Sequence, residues 1–520
     1  MKGFGGKFED EGNKINKEIN ISTEKIINKA FLLHSQGKIE ESLKYYKYCI
    51  DQKIDNYIIY SNYGLILKQQ GNFQAAEISL RKAIELNPNW SEAYCNLGAI
   101  LKDLGKLKEA EISLRKATKL NPNSAVAQSN LGNTLRELKK FDEAEISLRK
   151  AIDIDPNLIL GYANLGNMLK GLGRLNEAKL LLLKTIEIDP EFVRPYYSLS
   201  RFKYDISDKN WHDYLFSDKF LHNKSEKEKI DIYFARSNLL HKEKKFKESA
   251  KNLQIANELK LKIKPSELNL LINKSKLLLN ESNKKEKNKK IHKSYPLSIF
   301  IVGMPRCGST LVESIISLNK EVKDLGETNI LERAFIESKN NNQKISLTDL
   351  YMQKLNQFNK GFHITSNKWL FNYQYAGIIA NQISNSKIIH CFRNPLDNIL
   401  SITRANFDKG NNYSSSLVDC AKVYIDQKAI MRIYKDRFST AIYELDYDLL
   451  VSNPKQTIKS LVDWLGWSWN DTYLFPHLNK RAVFTASDVQ VRSPINSKST
   501  GGWKNYVRML KPATEILKIT

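Results

Sequence analysis

Cysteine and long apolar runs are scarce in this 520-residue chain, and each shortage excludes a class of protein. The five cysteines are odd in number and scattered, so they predict neither a disulfide framework nor a cluster of metal ligands. No stretch approaches the roughly 18 apolar residues that a membrane span needs. Residues 1–20 contain no apolar segment, so they do not have the pattern of a signal peptide. We expect a cytoplasmic protein without a membrane span or a bound metal, whose residues 1–20 are disordered.

Acidic residues are outnumbered, since 81 Lys and Arg stand against 57 Asp and Glu and give a formal net charge of +24. Such an excess raises the rate of encounter with anionic partners. It does not identify the anion, because nucleic acid, an acidic polysaccharide, an acidic peptide and a phosphorylated cofactor all fit. A composition rich in Lys, Asn and Ile explains part of the excess.

The first half of the chain contains an internal repeat with a period of 34 residues. Four residue types recur in phase, namely Asn62, Asn96, Asn130 and Asn164, then Gly64, Gly98, Gly132 and Gly166, then Ala76, Ala110, Ala144 and Ala178, and finally Pro88, Pro122, Pro156 and Pro190. In one unit, Leu97, Ile100 and Leu101 form an apolar stripe at helical spacing. Gly98 allows a neighbouring helix to approach closely, and Pro122 stops the second helix. Two helices of this size cannot bury their apolar faces alone, so stacked neighbours are expected.

This period and pattern resemble tetratricopeptide repeats, most clearly over residues 56–191 of a helical region that we expect to span 21–279. The resemblance implies an α-solenoid whose concave face binds a protein or peptide partner. The alternative is that the repeats only brace the second half or dimerise. A Lys- and Asn-rich stretch over 280–294 predicts a solvated linker, with an anion-binding patch as the alternative.

The second half opens with the pattern of a phosphate-binding loop. Residues 297–302 read LSIFIV, an apolar run typical of a buried parallel strand, and the segment 303–310 and a helical segment follow directly. Backbone N–H groups at such a helix start attract anions. Compared with the nucleoside-triphosphate motif GxxxxGK[ST], Ser309 replaces the lysine and Arg306 lies inside the loop. The missing lysine favours a metal-free transferase over a kinase or ATPase.

A second predicted strand, 386–392, leads into Arg393 and then into a helix that Pro395 is well placed to open. Ser401 lies two turns into that helix. Ligands bind at the carboxyl ends of strands in open α/β sheets, so these residues predict a second anion site. One nucleotide with phosphate groups at both its 5′ and 3′ sides would use both sites.

Three segments of this half, PRCGSTL, RNPLDNILS and ASDVQVRSPINSKSTGGW, resemble the sulfotransferases that use 3′-phosphoadenosine 5′-phosphosulfate. The resemblance covers roughly 296–506. With repeats in front, the chain is similar to bacterial sulfotransferases that carry tetratricopeptide repeats, and its second half to tyrosylprotein sulfotransferases. The resemblance implies an α/β sulfotransferase domain over 295–520, with a central parallel sheet and a P-loop-like cradle.

The resemblance also assigns roles. Glu327 is the expected general base, Lys368 the expected cation at the transferring group, and Ser487 its assistant. The expected nucleotide-binding residues are Arg306, Cys307, Gly308, Ser309, Thr310, Leu311, Arg393, Ser401, Arg404 and Tyr447. Arg404 follows Ser401 at a slightly shorter spacing than in the tyrosylprotein enzymes. Gly502 stands where those enzymes carry a lysine.

The expected activity is transfer of a sulfuryl group to an acceptor hydroxyl by metal-free in-line displacement. The alternatives are a repeat scaffold with a non-catalytic nucleotide-binding half, and a P-loop kinase. The acceptor stays open among protein tyrosine, a glycan and a lipid-linked sugar; the basic surface mildly favours an acidic one. No nucleic-acid partner is expected, and the sequence does not address oligomeric state.

Overall fold

The computed structural model describes residues 23–203, 209–283, 295–340, 345–356, 363–407 and 410–519. Its contacts cluster into two compact units, Met1–Met168 and Leu169–Thr520. The expected domain boundaries stay predictions, because the supposedly disordered N-terminus and residues 284–294 of the supposed linker lie outside the described residues. No helix in the described ranges has the length and apolar character needed to cross a membrane.

The first unit is built from antiparallel helix pairs. Its helices are α1 (Thr23–Ser35), α2 (Ile39–Asp51), α3 (Tyr57–Gln69), α4 (Phe73–Leu86), α5 (Ser91–Asp103), α6 (Leu107–Leu120), α7 (Ala125–Glu137) and α8 (Phe141–Ile154). Gly98 fixes the close approach within one pair, because a Cβ there would lie 2.4 Å from Cγ of Leu114. Gly132 has the same relation to Leu148, at 2.6 Å. Gly98 and Gly132 therefore allow the close helix approach that the repeat pattern predicted.

The second unit begins inside a helix and contains both helical pairs and a sheet. Its first helices are α9 (Ile159–Leu172, from Leu169 on), α10 (Leu175–Ile188), α11 (Arg194–Leu199), α12 (Lys209–Phe216), α13 (Glu226–Lys242), α14 (Phe246–Ile263) and α15 (Leu268–Glu281), with a 3₁₀ turn at Lys219–Leu221. A capping box starts α13, in which Ser225 and Glu228 satisfy each other's backbone N–H groups.

The remaining elements alternate between strands and helices. They are β1 (Leu297–Gly303), α16 (Ser309–Ile316), β2 (Val322–Asp324), α17 (Ile330–Asn340), α18 (Leu347–Asn356), β3 (Ile364–Asn367), α19 (Ala376–Gln382), β4 (Ser386–Phe392), α20 (Pro395–Thr403), α21 (Leu417–Arg437), β5 (Ile442–Asp446), α22 (Tyr447–Ser452), α23 (Pro454–Leu465) and α24 (Val507–Leu517). Short 3₁₀ turns lie at Leu370–Tyr375, Asn412–Ser415, Asp471–Leu474, Pro476–Leu478, Gln490–Arg492 and Gly502–Tyr506.

The five strands form one parallel sheet in the order β2-β3-β1-β4-β5. Alternate residues of β1 enter different cores: Ile299 and Ile301 belong to the cluster that includes α16 and α23, whereas Phe300 and Val302 belong to the one that includes α17, α18 and α21. A continuous apolar strand suits a sheet that is covered on both faces. The expected fold class, a repeat solenoid followed by an α/β domain with a central parallel sheet, is confirmed.

A third core joins the helical segment of the second unit, residues 169–281, to the α/β part that follows it. Phe234 of α13 and Leu253 of α14 share an apolar cluster with Leu400 of α20, Val423 of α21 and Leu510 of α24. All five side chains are buried. The last helical pairs are thus packed into the same body as the sheet.

Candidate functional site

The phosphate loop, Arg393 and Tyr447 follow the carboxyl ends of three neighbouring strands. The last residue of β1, Gly303, pairs with Cys391 near the end of β4, and the last residues of β4 and β5 pair with each other. Because parallel strands end at one edge of a sheet, the segments that follow them must meet there. The register therefore brings together motifs that are spread between residues 303 and 447 of the sequence.

The loop between β1 and α16 is a tight backbone turn. Gly303 has φ +149°, and a Cβ there would lie 2.3 Å from the carbonyl oxygen of Cys391. Gly308 has φ +95°, and a Cβ there would lie 2.2 Å from Cδ2 of Tyr447. Arg306 also adopts a left-handed conformation, with φ +65°, which is unusual for a residue with a side chain. The turn delivers Ser309 as the first residue of α16.

Arg306 ties the loop to two other predicted site residues. Its Nε donates to Oγ of Ser401 at 3.0 Å, and its two terminal nitrogens donate to Oγ of Ser487 at 2.5 Å and to Oε1 of Gln490 at 2.6 Å. Burial, and then the positive charges of Arg201 and Arg393, lower the pKa of Arg306 to about 10. The guanidinium is still charged at neutral pH, and the crowding of cations around it favours an anionic ligand.

Arg393 is 5% exposed and is held by three neighbours. A terminal nitrogen donates to the carbonyl oxygen of Ser499 at 2.6 Å, the guanidinium carbon lies 4.6 Å from the ring centroid of Tyr447, and Asp397 lies 4.0 Å away. Tyr447 therefore contacts both the phosphate loop, at Gly308, and the arginine of the second predicted anion site.

A cavity of about 320 Å³ lies beside Arg306 and Arg393. Four of the predicted nucleotide-binding residues line it, namely Arg306, Arg393, Ser401 and Arg404. Two of the arginines, Arg393 and Arg404, have a buried Nε that finds no hydrogen-bond acceptor among the residues that the structure describes. A buried donor without an acceptor costs free energy unless a ligand or water satisfies it. The lining therefore fits a ligand with anionic groups, such as a phosphorylated nucleotide.

Residues of the helical segment line the same cavity. They are Tyr197, Ser200, Arg201, Asn238, His241 and Lys242. Nε2 of His241 lies 3.0 Å from a terminal nitrogen of Arg404. Burial, and then the charges of Arg404 and Lys242, lower the pKa of His241 to about 3, so the ring is neutral and can accept a hydrogen bond from the arginine.

Glu327 and Lys368 form a second group at the same edge of the sheet. Asp324, the last residue of β2, pairs with Ser366 of β3, and the backbone N–H of Lys368 donates to the carbonyl oxygen of Gly326 at 3.0 Å. Nζ of Lys368 donates to Oε1 of Glu327 at 2.5 Å. The lysine side chain is 1% exposed and the glutamate side chain 46% exposed, so the carboxylate faces solvent while the ammonium is enclosed.

A buried charge network supports this pair. Glu313 of α16 is fully buried; its Oε2 lies 3.7 Å from Nζ of Lys368 and accepts from Arg481 at 2.6 Å. Burial alone would lower the pKa of Lys368. The negative charges of Glu313 and Glu327 have a larger effect in the opposite direction, so the pKa of Lys368 is raised. Arg481 also donates a hydrogen bond to Asp324. Burial, and then the neighbouring Glu313, raise the pKa of Asp324 to about 7. Lys368 is therefore held charged although its side chain is buried.

The structure groups the predicted residues into two clusters. Arg306, Ser401 and Ser487 are in direct contact, and Arg393, Arg404 and Tyr447 adjoin them. The lining of the cavity does not include Glu327 or Lys368; α16 connects these two to the phosphate loop through Glu313.

Cys307 and Ser309 are buried within the turn, and Thr310 Oγ1 lies 3.4 Å from Oγ1 of Thr485, two residues from Ser487. Leu311 packs against the sheet. Ligand contacts by these residues stay predictions.

Sequence reasoning missed several residues of the site. Asp397 accepts from the backbone N–H groups of Gly501 at 2.6 Å and Trp503 at 2.9 Å, and so fixes the STGGW segment beside Arg393. Its place in RNPLDN was a signal that could have found it. His241 lies in a degenerate helical pair and Arg201 in the turn after α11, where no local pattern marks them. Arg481 and Glu313 likewise become recognisable only when the chain is folded.

Residues 296–471 match the model of the sulfotransferase family, and residues 64–105, 91–157 and 161–192 match models of tetratricopeptide repeats. This chain joins tetratricopeptide repeats to a sulfotransferase-family domain. The sulfotransferase domain's match begins one residue before β1 and includes the phosphate loop, Glu327, Lys368, Arg393, Ser401 and Tyr447.

Two curated relatives have partial matches. An uncharacterized protein of Aquifex aeolicus (strain VF5) is 30% identical over 243 residues, which are 42% of this chain and 32% of that protein. Protein-tyrosine sulfotransferase 2 of Gallus gallus is 24% identical over 246 residues, which are 41% of this chain and 65% of that protein. This chain thus spans less than two thirds of the length of each.

Solved structures of repeat proteins match other portions. MamA is 25% identical, with a TM-score of 0.28, over 31% of this chain and 95% of that one. YrrB, a tetratricopeptide-repeat protein with an unusual peptide-binding site, is 22% identical, with a TM-score of 0.30, over 36% of this chain and 96% of that one.

Proposed function

We propose that this chain is a sulfotransferase that uses 3′-phosphoadenosine 5′-phosphosulfate and transfers its sulfuryl group to an acceptor hydroxyl. The observation that carries the proposal is the cavity in which Arg306, Arg393, Ser401 and Arg404 converge within a sulfotransferase-family domain. Arginine guanidinium groups and a serine hydroxyl suit phosphate oxygens. Arg393 and Arg404, whose buried Nε finds no acceptor in the described part of the chain, add to the fit.

The nucleotide would contact both anion sites of this edge. The N–H groups at the start of α16 and the side chain of Arg306 suit its 5′ side, and Arg393, Ser401 and Arg404 suit its 3′ phosphate. Tyr447, which touches both Gly308 and Arg393, orders the two sites relative to each other. The nucleotide would supply the sulfuryl group, and adenosine 3′,5′-bisphosphate would leave as the bond between sulfur and its 5′-phosphate oxygen breaks.

Glu327 and Lys368 have the properties that the transfer requires. Glu327, with its solvent-facing carboxylate, is the proposed base that takes the proton of the acceptor hydroxyl. Lys368 holds a fixed, enclosed positive charge next to Glu327, where it stabilises negative charge that develops during transfer. Ser487, bonded to Arg306, is the proposed hydroxyl that assists. These charges do what Mg²⁺ does in kinases, so the proposed reaction needs no metal ion.

The repeats are proposed to bind a protein or peptide partner on their concave face, which would bring an acceptor or an accessory protein to the enzyme. Tetratricopeptide matches over 64–105, 91–157 and 161–192 support this proposal.

Glu327→Gln tests the chemical role and keeps the shape and the hydrogen bond to Lys368. We expect transfer from radiolabelled donor to acceptors in a cell lysate to fall about 10²- to 10⁴-fold, as for the loss of a general base. Binding of adenosine 3′,5′-bisphosphate, measured by calorimetry, should stay unchanged, because Glu327 is not part of the cavity lining.

The matched control is Glu337→Gln, which removes an exposed carboxylate of α17 that pairs with Lys354. It should affect neither transfer nor binding. Undiminished transfer by the Glu327 variant would remove Glu327 from the mechanism. Magnesium-dependent ATP turnover by the wild type, without binding of the bisphosphate, would refute the sulfotransferase proposal altogether.

A further inference from the structure

The helical segment of the second unit supplies one wall of the nucleotide cavity. Arg201 follows α11, and His241 and Lys242 end α13; all three line the cavity opposite residues of the sulfotransferase domain. This wall is fixed in place, since Arg201 bonds Asp488 at 2.5 Å and the apolar cluster of Phe234 joins α13 to α20. The family match begins only at residue 296, so it does not include these residues.

A chain of hydrogen bonds runs from the cavity into this wall. A terminal nitrogen of Arg404 lies 3.0 Å from Nε2 of His241. Nδ1 of His241 lies 2.8 Å from the Tyr506 hydroxyl, and that hydroxyl lies 2.9 Å from Oγ of Ser249. Ser249 donates to the carbonyl oxygen of Ser237 at 2.8 Å. Arginine can only donate, so every bond in the chain runs in one direction, away from the cavity.

This direction fixes the tautomer of the imidazole. His241 accepts from Arg404 at Nε2 and donates to Tyr506 from Nδ1, and its ring also stacks on that of Tyr506, with centroids 5.8 Å apart and planes at 23°. The ring therefore holds one edge of the Arg404 guanidinium in a defined place. Nε of Arg404 stays buried without an acceptor from the described chain.

We propose that His241 is a positioning residue for the 3′-phosphate of the nucleotide, and that it acts by orienting Arg404 from the helical segment. This inference rests on the proposed function. Arg404 lies three residues after Ser401, on the same side of α20, and both line the cavity together with Arg393. A helical pair outside the sulfotransferase match is therefore part of the nucleotide site.

The test compares two nucleotides that differ only in the 3′-phosphate, adenosine 3′,5′-bisphosphate and adenosine 5′-phosphate, by calorimetry on the full chain. His241→Leu removes the acceptor for Arg404. We expect it to weaken binding of the bisphosphate about tenfold or more, as for a lost hydrogen bond to a charged group, and to leave binding of the monophosphate within about twofold of wild type. His241→Gln, whose carbonyl oxygen can accept from Arg404, should restore most of the selectivity.

Tyr506→Phe is the second variant, since it keeps the ring and removes the hydroxyl that fixes the tautomer. It should reduce the selectivity for the 3′-phosphate less than His241→Leu does. His222→Leu, at an exposed position of the same helical segment, is the control and should bind both nucleotides like wild type.

The outcomes separate this inference from the proposed function. Wild-type selectivity in both His241→Leu and Tyr506→Phe would overturn the inference, as would an equal loss of affinity for both nucleotides, which marks a purely structural role. Failure of the wild type to bind the bisphosphate would refute the proposed function, and the inference with it.

Discussion

The carboxyl groups of Asp324 and Glu313 both lie beside Arg481, and their pKa values are shifted in opposite directions. Burial opposes ionisation of Glu313, but Arg481 and Lys368 outweigh it and lower its pKa. Burial and the neighbouring Glu313 raise the pKa of Asp324 to about 7. One member of a close carboxyl pair usually carries the proton, and here it is the one at the end of β2.

This assignment predicts a pH dependence of stability. Asp324 holds its proton in the native state up to about pH 7, whereas an unfolded aspartate loses it near about pH 4. The native state then binds more protons between these values, so this group's contribution to the free energy of unfolding is greatest at low pH and is lost as the pH rises.

Asp324→Asn, which cannot ionise, should remove that dependence. Relative to wild type, the variant should be less stable at about pH 5 than at about pH 8, as measured by urea unfolding at both values. The control is Asp463→Asn, at an exposed position of α23. A difference between wild type and the Asp324 variant that stays constant with pH would contradict the assigned proton.

The loop between β1 and α16 is the element whose backbone decides binding. Gly308 combines a left-handed φ of +95° with a contact that leaves no room for a side chain beside Tyr447. The glycine spacing that predicted a phosphate cradle thus has two physical causes, a conformation and a close approach.

Gly308→Ala should therefore lose nucleotide affinity as well as stability. The left-handed conformation alone costs about 1–3 kcal/mol for a residue with a side chain, and displacement of Tyr447 should weaken binding of adenosine 3′,5′-bisphosphate about tenfold or more. Urea unfolding and calorimetry measure the two effects.

Gly410→Ala is the matched control, since Gly410 has φ +80° but no heavy atom of the described residues lies within 4 Å of an added Cβ. It should show the stability loss and keep the affinity. Equal affinities in the two variants would mean that the contact with Tyr447 does not matter for binding.

At the scale of the whole second unit, the nucleotide cavity takes its walls from the sheet edge and from the helical segment. A ligand that binds only the native state protects the parts that it holds together. Adenosine 3′,5′-bisphosphate should thus slow hydrogen exchange in α13 as well as in the phosphate loop and α20, whereas adenosine without phosphates should not. Protection confined to residues 295–519 would show that the helical wall does not take part in binding.

Much of this architecture could be predicted because it is periodic or contiguous. The 34-residue recurrence of glycines such as Gly98 indicates close helix packing, and that of prolines such as Pro122 indicates helix ends. The apolar run before Gly303 indicates a buried strand. Arg306, Arg393 and Ser401 could be selected because each lies in a short segment next to a strand end. The roles of Glu327, Lys368 and Ser487 came from resemblance alone, and stay predictions.

The sequence by itself determined the repeat solenoid, the α/β domain and the loop that ends β1, since periodicity, apolar runs and glycine conformation act over neighbouring residues. Only the tertiary structure decided that Arg404 meets His241, 163 residues away, and that Glu313 meets Lys368 and Arg481. Contacts between distant residues depend on strand register and helix packing, which no local pattern encodes. These contacts also set the protonation state of each ionisable group around the cavity, because burial and neighbouring charges shift its pKa.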